Sequence, residues 1–250
     1  MDQIPVIDFA KIAQEPGKEQ NWEEISEEVR KACHGIGFMH ILNHGIRKET
    51  IESAFEESKK FFQLPQSRKN DFPLNAANKY RGYTRSGQEL LSPNSAFEYR
   101  EAFSLVGINS PQKFPEELPT FQKALFDLEK ECNSHFAHSL DSMGGLEVRN
   151  AAGHWTPATP IADTVLVNLG DIMEIWTGGY FKATGHRVLI PEEEIRRRTP
   201  RQSIAYFVQL DDDWMITPLK STENYKFKDN FESMSYAEFL DKRIGDTYQY

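Results

Sequence analysis

The sequence predicts an α+β domain in which helices buttress one face of a β sandwich of jelly-roll type. Three observations carry this. Amphipathic helical stripes recur along the chain up to Met143, whereas after Gly145 it breaks into short runs rich in β-branched and aromatic residues, separated by turn residues. At 250 residues and 39% hydrophobic content, the chain is also long enough for one sizeable core.

The elements follow in order. Asn21 to Cys33 sets Trp22, Ile25, Val29 and Cys33 on one helical face, with Asn21 as N-cap, Glu24 three residues on, and a stop before Gly35. Gly37 to Asn43 is a short apolar run ending in a turn at His44-Gly45, which suits a buried strand. Ile51, Ala54, Phe55, Ser58, Phe61 and Phe62 recur at helical spacing until Leu64-Pro65 stops them. Asn70 to Ser95 is polar and turn-rich, Glu98 to Gly107 alternates as a strand, and Pro111 to Pro119 is a connecting loop. A long helix is expected over 119–143, its stripe running through Phe121, Leu125, Leu128, Cys132, Phe136, Ser139 and Met143 to a stop at Gly144-Gly145. Core strands fall in 144–210, in the runs LEVRN, HWTPAT, TVLVNLGD, ATGHRVLI and RQSIAYFVQL. The charged and aromatic tail, 211–250, holds a helix around Tyr236 to Arg243. Together these make a single domain over 1–250, of which 1–118 is an N-terminal region of helices and strands.

A formal charge of -9 and a pI near 5.4 leave no electrostatic footprint for nucleic acid or for an anionic membrane surface. The richest basic cluster, Arg196 to Arg198, directly follows Glu192 to Glu194, which cancel its field and make it a solvated loop. The two cysteines, Cys33 and Cys132, are far apart and outside any Cys-x-x-Cys spacing, so neither a disulfide framework nor a thiolate metal site is expected. With no basic leader and no long apolar window, the expected compartment is the cytoplasm.

The chemistry-bearing motifs lie at specific places. In the strand-rich half, Asn168-Leu-Gly-Asp171-Ile-Met-Glu174-Ile-Trp176 leads to Tyr180-Phe-Lys182-Ala-Thr-Gly-His186-Arg187-Val188, and Arg201-Gln202-Ser203 follows. The first half carries Ile4-Pro5-Val6-Ile7-Asp8, then Gly37-Phe38 leading to Asn43-His44-Gly45-Ile46, then Phe61-Phe62 leading to Leu64-Pro65. In these motifs, spread over nearly the whole chain, the sequence resembles the isopenicillin N synthase-like branch of the 2-oxoglutarate/iron(II)-dependent dioxygenases, whose pattern ends in Lys-x-x-x-His-Arg-Val and then Arg-x-Ser. The resemblance implies a double-stranded β-helix, Fe(II), 2-oxoglutarate as cosubstrate, and hydroxylation-type oxidation of a small organic substrate with release of succinate and carbon dioxide. By resemblance His186 matches the distal metal ligand, and Arg201 with Ser203 the pair that grips the far carboxylate of the cosubstrate. Two residues apart on one strand, such side chains share a face, which suits a guanidinium fork working beside a hydroxyl.

The departure from the family is equally specific. No His-x-Asp or His-x-Glu occurs anywhere in the chain, and Gly144-Gly145-Leu146-Glu147-Val148 follows the long helix where the family carries an upstream His-x-Asp strand. The intervening strands are missing as a block, joined near Met143-Gly144, so the expected jelly roll is incomplete and lacks two metal ligands. His135, His138 and Asp141 stand nearby; on a helix His138 and Asp141 would face solvent, and His135 would sit at the edge of the apolar stripe. His40 and His44 read as core hydrogen-bonding histidines, His154 as an exposed hairpin residue, and Asp171 and Glu174 as members of a turn between strands. Three functions remain open: an active oxygenase, a catalytically impaired shortened form, and a non-enzymatic module that binds a carboxylate or a partner. Loss of strands also exposes backbone edges and apolar faces, which favours self-association and lowers stability.

Overall fold

The computed structural model describes residues 3–13, 20–74, 81–88, 99–105, 112–135, 139–141, 144–189, 200–219 and 231–245. In chain order the elements are β1 (Val6–Asp8), α1 (Ala10–Ala13), α2 (Gln20–His34), β2 (Phe38–Leu42), α3 (Lys48–Gln63), α4 (Gln66–Lys69), β3 (Gly82–Thr84), β4 (Ala102–Ser104), α5 (Phe121–His135), β5 (Ser139–Asp141), β6 (Leu146–Arg149), β7 (Trp155–Pro157), β8 (Thr164–Asn168), α6 (Asp171–Trp176), β9 (His186–Val188), β10 (Ser203–Ala205), β11 (Met215–Ile216), β12 (Met234–Ser235) and α7 (Tyr236–Gly245). They divide between two compact units, Met1–Gly45 with His135–Tyr236 and Ile46–Ser134 with Ala237–Tyr250.

The first unit is the sandwich. Its larger sheet has the order β1-β2-β8-β5-β10 and its smaller sheet the order β7-β6-β9. The near-continuous apolar runs of β2 and β8 place them at the centre of the larger sheet, where both faces are covered. Their register sets Phe38 opposite Asn168, His40 opposite Leu166 and Leu42 opposite Thr164, so these six share one face. That face packs on the smaller sheet: Phe38 and Leu166 join Val148 of β6, with Ile36 and Ala158, in one buried cluster flanked by Ile4 and Leu146. Each of the five β-like runs after Gly145 carries a strand, from β6 to β10. Among the described residues β5 to β10 make six strands, two fewer than the eight of a complete jelly roll, and the N-terminal β1 and β2 widen the larger sheet.

The second unit is built on aromatic packing. Phe61 of α3, Phe121 of α5 and Tyr83 of β3 form its buried centre, with Phe61 and Phe121 stacked at 5.1 Å. Truncating Phe61 to alanine would remove a wholly buried ring, a loss of about 3–5 kcal/mol. Polar bonds fix the helix ends. The N-cap of α3, Arg47, has no side-chain cap bond; Glu131 of α5 replaces it, accepting from the Arg47 backbone N–H at 2.7 Å and the Thr50 hydroxyl at 2.8 Å. Burial raises the Glu131 carboxyl pKa, but these bonds and the Arg47 guanidinium outweigh it and hold the group below its ordinary value. Buried Lys69 pairs with Glu101 at 2.7 Å, and the Tyr83 hydroxyl bonds the same carboxylate; burial, then that bond, pushes the phenol up to about 12.

Several expectations are corrected. The helix expected over 119–143 ends at His135, because Ser139–Asp141 pairs as a strand with β10 and β8, and a tertiary ladder overrides the helical stripe. Trp22 is 58% exposed while Ile25 and Cys33 are buried, and α2 begins at Gln20, ahead of the expected Asn21 cap. The segment read as turn-rich from Asn70 to Ser95 includes β3, which pairs with β4, itself confined to Ala102–Ser104. Asp171 and Glu174 lie on the helix α6 rather than in a turn. Phe136, His138, Met143 and the 192–198 charge cluster lie outside the described residues.

His40 is buried on the inner face, where its Nδ1–H donates to Thr164 Oγ1 at 3.1 Å; the same hydroxyl donates to the Ile161 carbonyl. Burial lowers its pKa below the ordinary value of 6.5, so the folded protein keeps it neutral where the unfolded chain takes up a proton. Stability from this residue is therefore complete above about pH 6.5 and declines as pH falls below it. Denaturation midpoints measured from about pH 7.5 down to 5.5 should fall, and the His40→Gln variant should show a shallower decline; equal slopes would refute the assignment.

Candidate functional site

His186 is positioned by its neighbours on both sides. In β9 it stands opposite Val148, and Val188 opposite Leu146, so His186 and Val188 share the inner face of the smaller sheet. The imidazole meets the Phe38 ring edge-on at 5.5 Å, and its Nδ1–H donates to the Thr184 carbonyl at 3.1 Å, which leaves Nε2 as the nitrogen with no hydrogen bond among the described residues. Val148 is wholly buried, yet His186 is exposed and Val188 54% exposed, so this inner face is open at the β9 end.

The segment leading to His186 is clamped to the end of α2. Gly37, at φ +71°, lies so close that an added Cβ would stand 2.4 Å from the Lys182 carbonyl oxygen, which only glycine tolerates. The Lys182 N–H donates to the Cys33 carbonyl at 3.0 Å, His34 stacks on Tyr180 at 4.3 Å, and His34 Nδ1 donates to the Tyr180 carbonyl at 2.8 Å. Arg30, chelated by Glu27, also bonds the Tyr180 hydroxyl. Sequence reasoning missed these positioning residues. Gly37 was visible as the glycine before an apolar run, but its partner at Lys182 was not.

Arg201 and Ser203 come together from the other sheet. Ser203 pairs with Asp141, and Ala205 with Ser139, whose other neighbour is Leu166, so β10 presents Ser203 to the inner face. Arg201 Nε donates to the Gly144 carbonyl at 2.8 Å, and its Nη1 lies 3.5 Å from Ser203 Oγ. The sandwich thus directs an imidazole from one sheet and an arginine–serine pair from the other toward its interior. His154 is exposed at the β6–β7 hairpin, as expected, and His135 ends α5.

These residues do not make a complete iron site. Among the described residues no group of three His, Cys, Asp or Glu side chains could hold a metal ion, and a single imidazole satisfies one of the three protein positions that a facial His/carboxylate site needs. They do fit a carboxylate ligand, through the guanidinium held by Gly144 and the hydroxyl beside it. No helix among the described residues is long and apolar enough to cross a membrane.

A two-sheet sandwich with an inward histidine and an Arg-x-Ser pair defines a jelly-roll protein of oxygenase type. Residues 4–130 match the profile of the non-haem dioxygenase in morphine synthesis N-terminal region, and residues 130–210 that of the 2OG-Fe(II) oxygenase superfamily. The chain belongs to the 2-oxoglutarate/Fe(II)-dependent dioxygenases, in their isopenicillin N synthase-like branch. It is 24% identical to a homoarginine-6-hydroxylase of Arabidopsis thaliana over 86% of this chain and 87% of that one. A homoarginine-6-hydroxylase of Oryza sativa subsp. japonica is 23% identical, covering 96% of each chain. That second alignment runs over 322 positions, 72 more than the 250 residues of this chain, so at least that many face gaps within it. Those gaps lie within the aligned span. In fold the chain is similar to a full-length Neurospora crassa protein in complex with alpha-KG, with TM-score 0.82, 22% identity and coverage of 97% and 96%. It is also similar to JOX2 in complex with 2OG, Fe and JA, with TM-score 0.76, 18% identity and coverage of 95% and 83%.

Replacing Gly37 tests the clamp. The Gly37→Ala variant must move the Lys182 backbone or abandon its positive φ, at a cost of roughly 2–4 kcal/mol. A lower thermal midpoint together with shifted His186 ring resonances is expected. An unchanged His186 spectrum would show that the clamp does not set the imidazole.

Proposed function

We propose that this chain is a shortened oxygenase that retains the cosubstrate grip of its family but is impaired in oxidation. Arg201 and Ser203 bind the far carboxylate of 2-oxoglutarate, and His186 is the one family metal ligand left. The observation that carries this reading is a contrast on one inner face. The guanidinium is braced beside a hydroxyl, whereas His186 has no second or third donor near it among the described residues. One imidazole does not retain iron(II) against water and competing chelators.

The chain's family is one of 2-oxoglutarate/Fe(II) dioxygenases that act as hydroxylases, oxidising a small organic substrate with release of succinate and carbon dioxide; the impaired form is the alternative to that family activity for this chain, and the absence of a His-x-Asp pair from the sequence is what favours it. When bound, the iron supplies the oxidising power for that chemistry; the residues of this chain bind and orient the carboxylate. A consequence of the open face is self-association. Val188 and Leu189 at β9, and Phe207 and Val208 after β10, leave apolar surface beside two sheet edges, which supports pairing between copies.

Calorimetric titration with 2-oxoglutarate in the absence of metal should show binding that Arg201→Leu weakens by about tenfold or more. Anaerobic addition of Fe(II) with 2-oxoglutarate should give no visible charge-transfer band, and aerobic incubation no succinate. Binding unaffected by Arg201→Leu would refute the grip. A band with succinate release would establish the active enzyme instead. Sedimentation of the same sample should show association rising with concentration, and a monomer throughout would refute pairing.

A further inference from the structure

We infer that the cavity beside the Lys182–Gly185 segment is a second small-molecule site, built for an acidic α-amino acid. The cavity has a volume of about 260 Å³ and is bounded by Gly35 at the end of α2, Arg149 at the end of β6, Glu174 on α6, and Lys182, Thr184 and Gly185 ahead of β9. At roughly 30 Å³ per water it holds about nine non-hydrogen atoms, so an amino acid with two carboxylates, of about ten, would fill it and reach its open mouth.

Its charges are what point to a ligand. Several charged side chains elsewhere in this unit pair, Arg187 with Glu147, Arg30 with Glu27, and Lys11 with Glu24 and Glu28, while others stand singly at the surface; what sets the cavity apart is that charges of both signs line one concavity. The three that line this cavity do not pair among the described residues. Arg149 Nε makes only a long 3.3 Å contact with the Gly153 carbonyl, Lys182 Nζ donates to the Gly179 carbonyl at 2.5 Å, and the Glu174 carboxylate accepts no hydrogen bond among the described residues. Two cations and one carboxylate thus share one concave lining without neutralising each other. The complement is a molecule with two carboxylates and one ammonium group. In a partly enclosed cavity such contacts are stronger than in open water, and the presence of both signs selects against plain dicarboxylates and plain amines. The Thr184 hydroxyl, also without a hydrogen bond among the described residues, adds a neutral donor.

The site bears on His186, because the Thr184 carbonyl that closes one wall also accepts from its Nδ1. It does not rest on the Arg201 grip, with which it shares no residue. L-Glutamate is the probe, titrated against the full-length Arg201→Leu chain by calorimetry and by imidazole NMR. Millimolar-range binding is expected, with a shift of the His186 resonances. Arg149→Gln should weaken it by about tenfold. Glu174→Gln should weaken L-glutamate by a similar factor and strengthen glutarate, which lacks the ammonium group, a reversal that a merely structural role of Glu174 would not produce. Thermal melts matching the parent confirm that each variant folds; if one does not, Lys182→Gln takes its place, with the same loss of L-glutamate binding expected as for Arg149→Gln. No binding of L-glutamate, or binding indifferent to Glu174→Gln in a folded protein, overturns the proposal.

Discussion

Phe38 is the side chain on which the sandwich and its site both depend. It stands on β2, an interior strand of the larger sheet, is buried with Val148, Leu166, Ile36 and Ala158, and meets the His186 ring edge-on. A large ring filling the space between two sheets makes many weak dispersion contacts at once, which holds them at a fixed separation. Because β9 reaches the larger sheet through this contact, the direction of the imidazole follows from core packing as much as from its own strand. Gly37, immediately before Phe38, adds the second restraint by admitting the Lys182 backbone at a distance no side chain would allow.

The same sandwich shows what the missing block removes. Among the described residues the sheets hold two strands fewer than a full jelly roll, and on the inner face of β9 His186 and Val188 meet solvent. This explains why a chain matching family profiles over residues 4–210 carries the arginine–serine pair but no metal cluster among its described residues. In the proposed reading the carboxylate grip draws on β10 and on Gly144, whereas the family's other metal donors belong to a His-x-Asp pair that this sequence does not contain.

Much of this was legible in the residues. The apolar runs of β2 and β8 announce buried strands, Leu64-Pro65 stops α3, and the five short runs after Gly145 each carry a strand. The Arg201 and Ser203 spacing signals a shared face, and the structure sets their side chains 3.5 Å apart. Errors arose where local and tertiary preferences compete. Ser139 to Asp141 continues a helical stripe, yet pairs as a strand because β10 and β8 offer a ladder on both sides. Trp22 fits the apolar face of α2 by spacing, yet one turn at a helix end is not obliged to meet the core. The Lys69–Glu101–Tyr83 cluster was silent, since its members are 32 and 18 residues apart and none belongs to a recognisable motif.

By itself the sequence determined the family, the progression from helices to short strands, the positions of His186, Arg201 and Ser203, and the absence of a His-x-Asp pair. These depend on identity and spacing, which are local properties. Tertiary structure alone decided that β5 is a strand, that His186 is clamped through Gly37 and Tyr180, that Gly144 braces Arg201, and that Arg149, Lys182 and Glu174 share one cavity without pairing. Each of these joins residues distant in the chain, and only the closing of the two sheets on Phe38 brings them within reach.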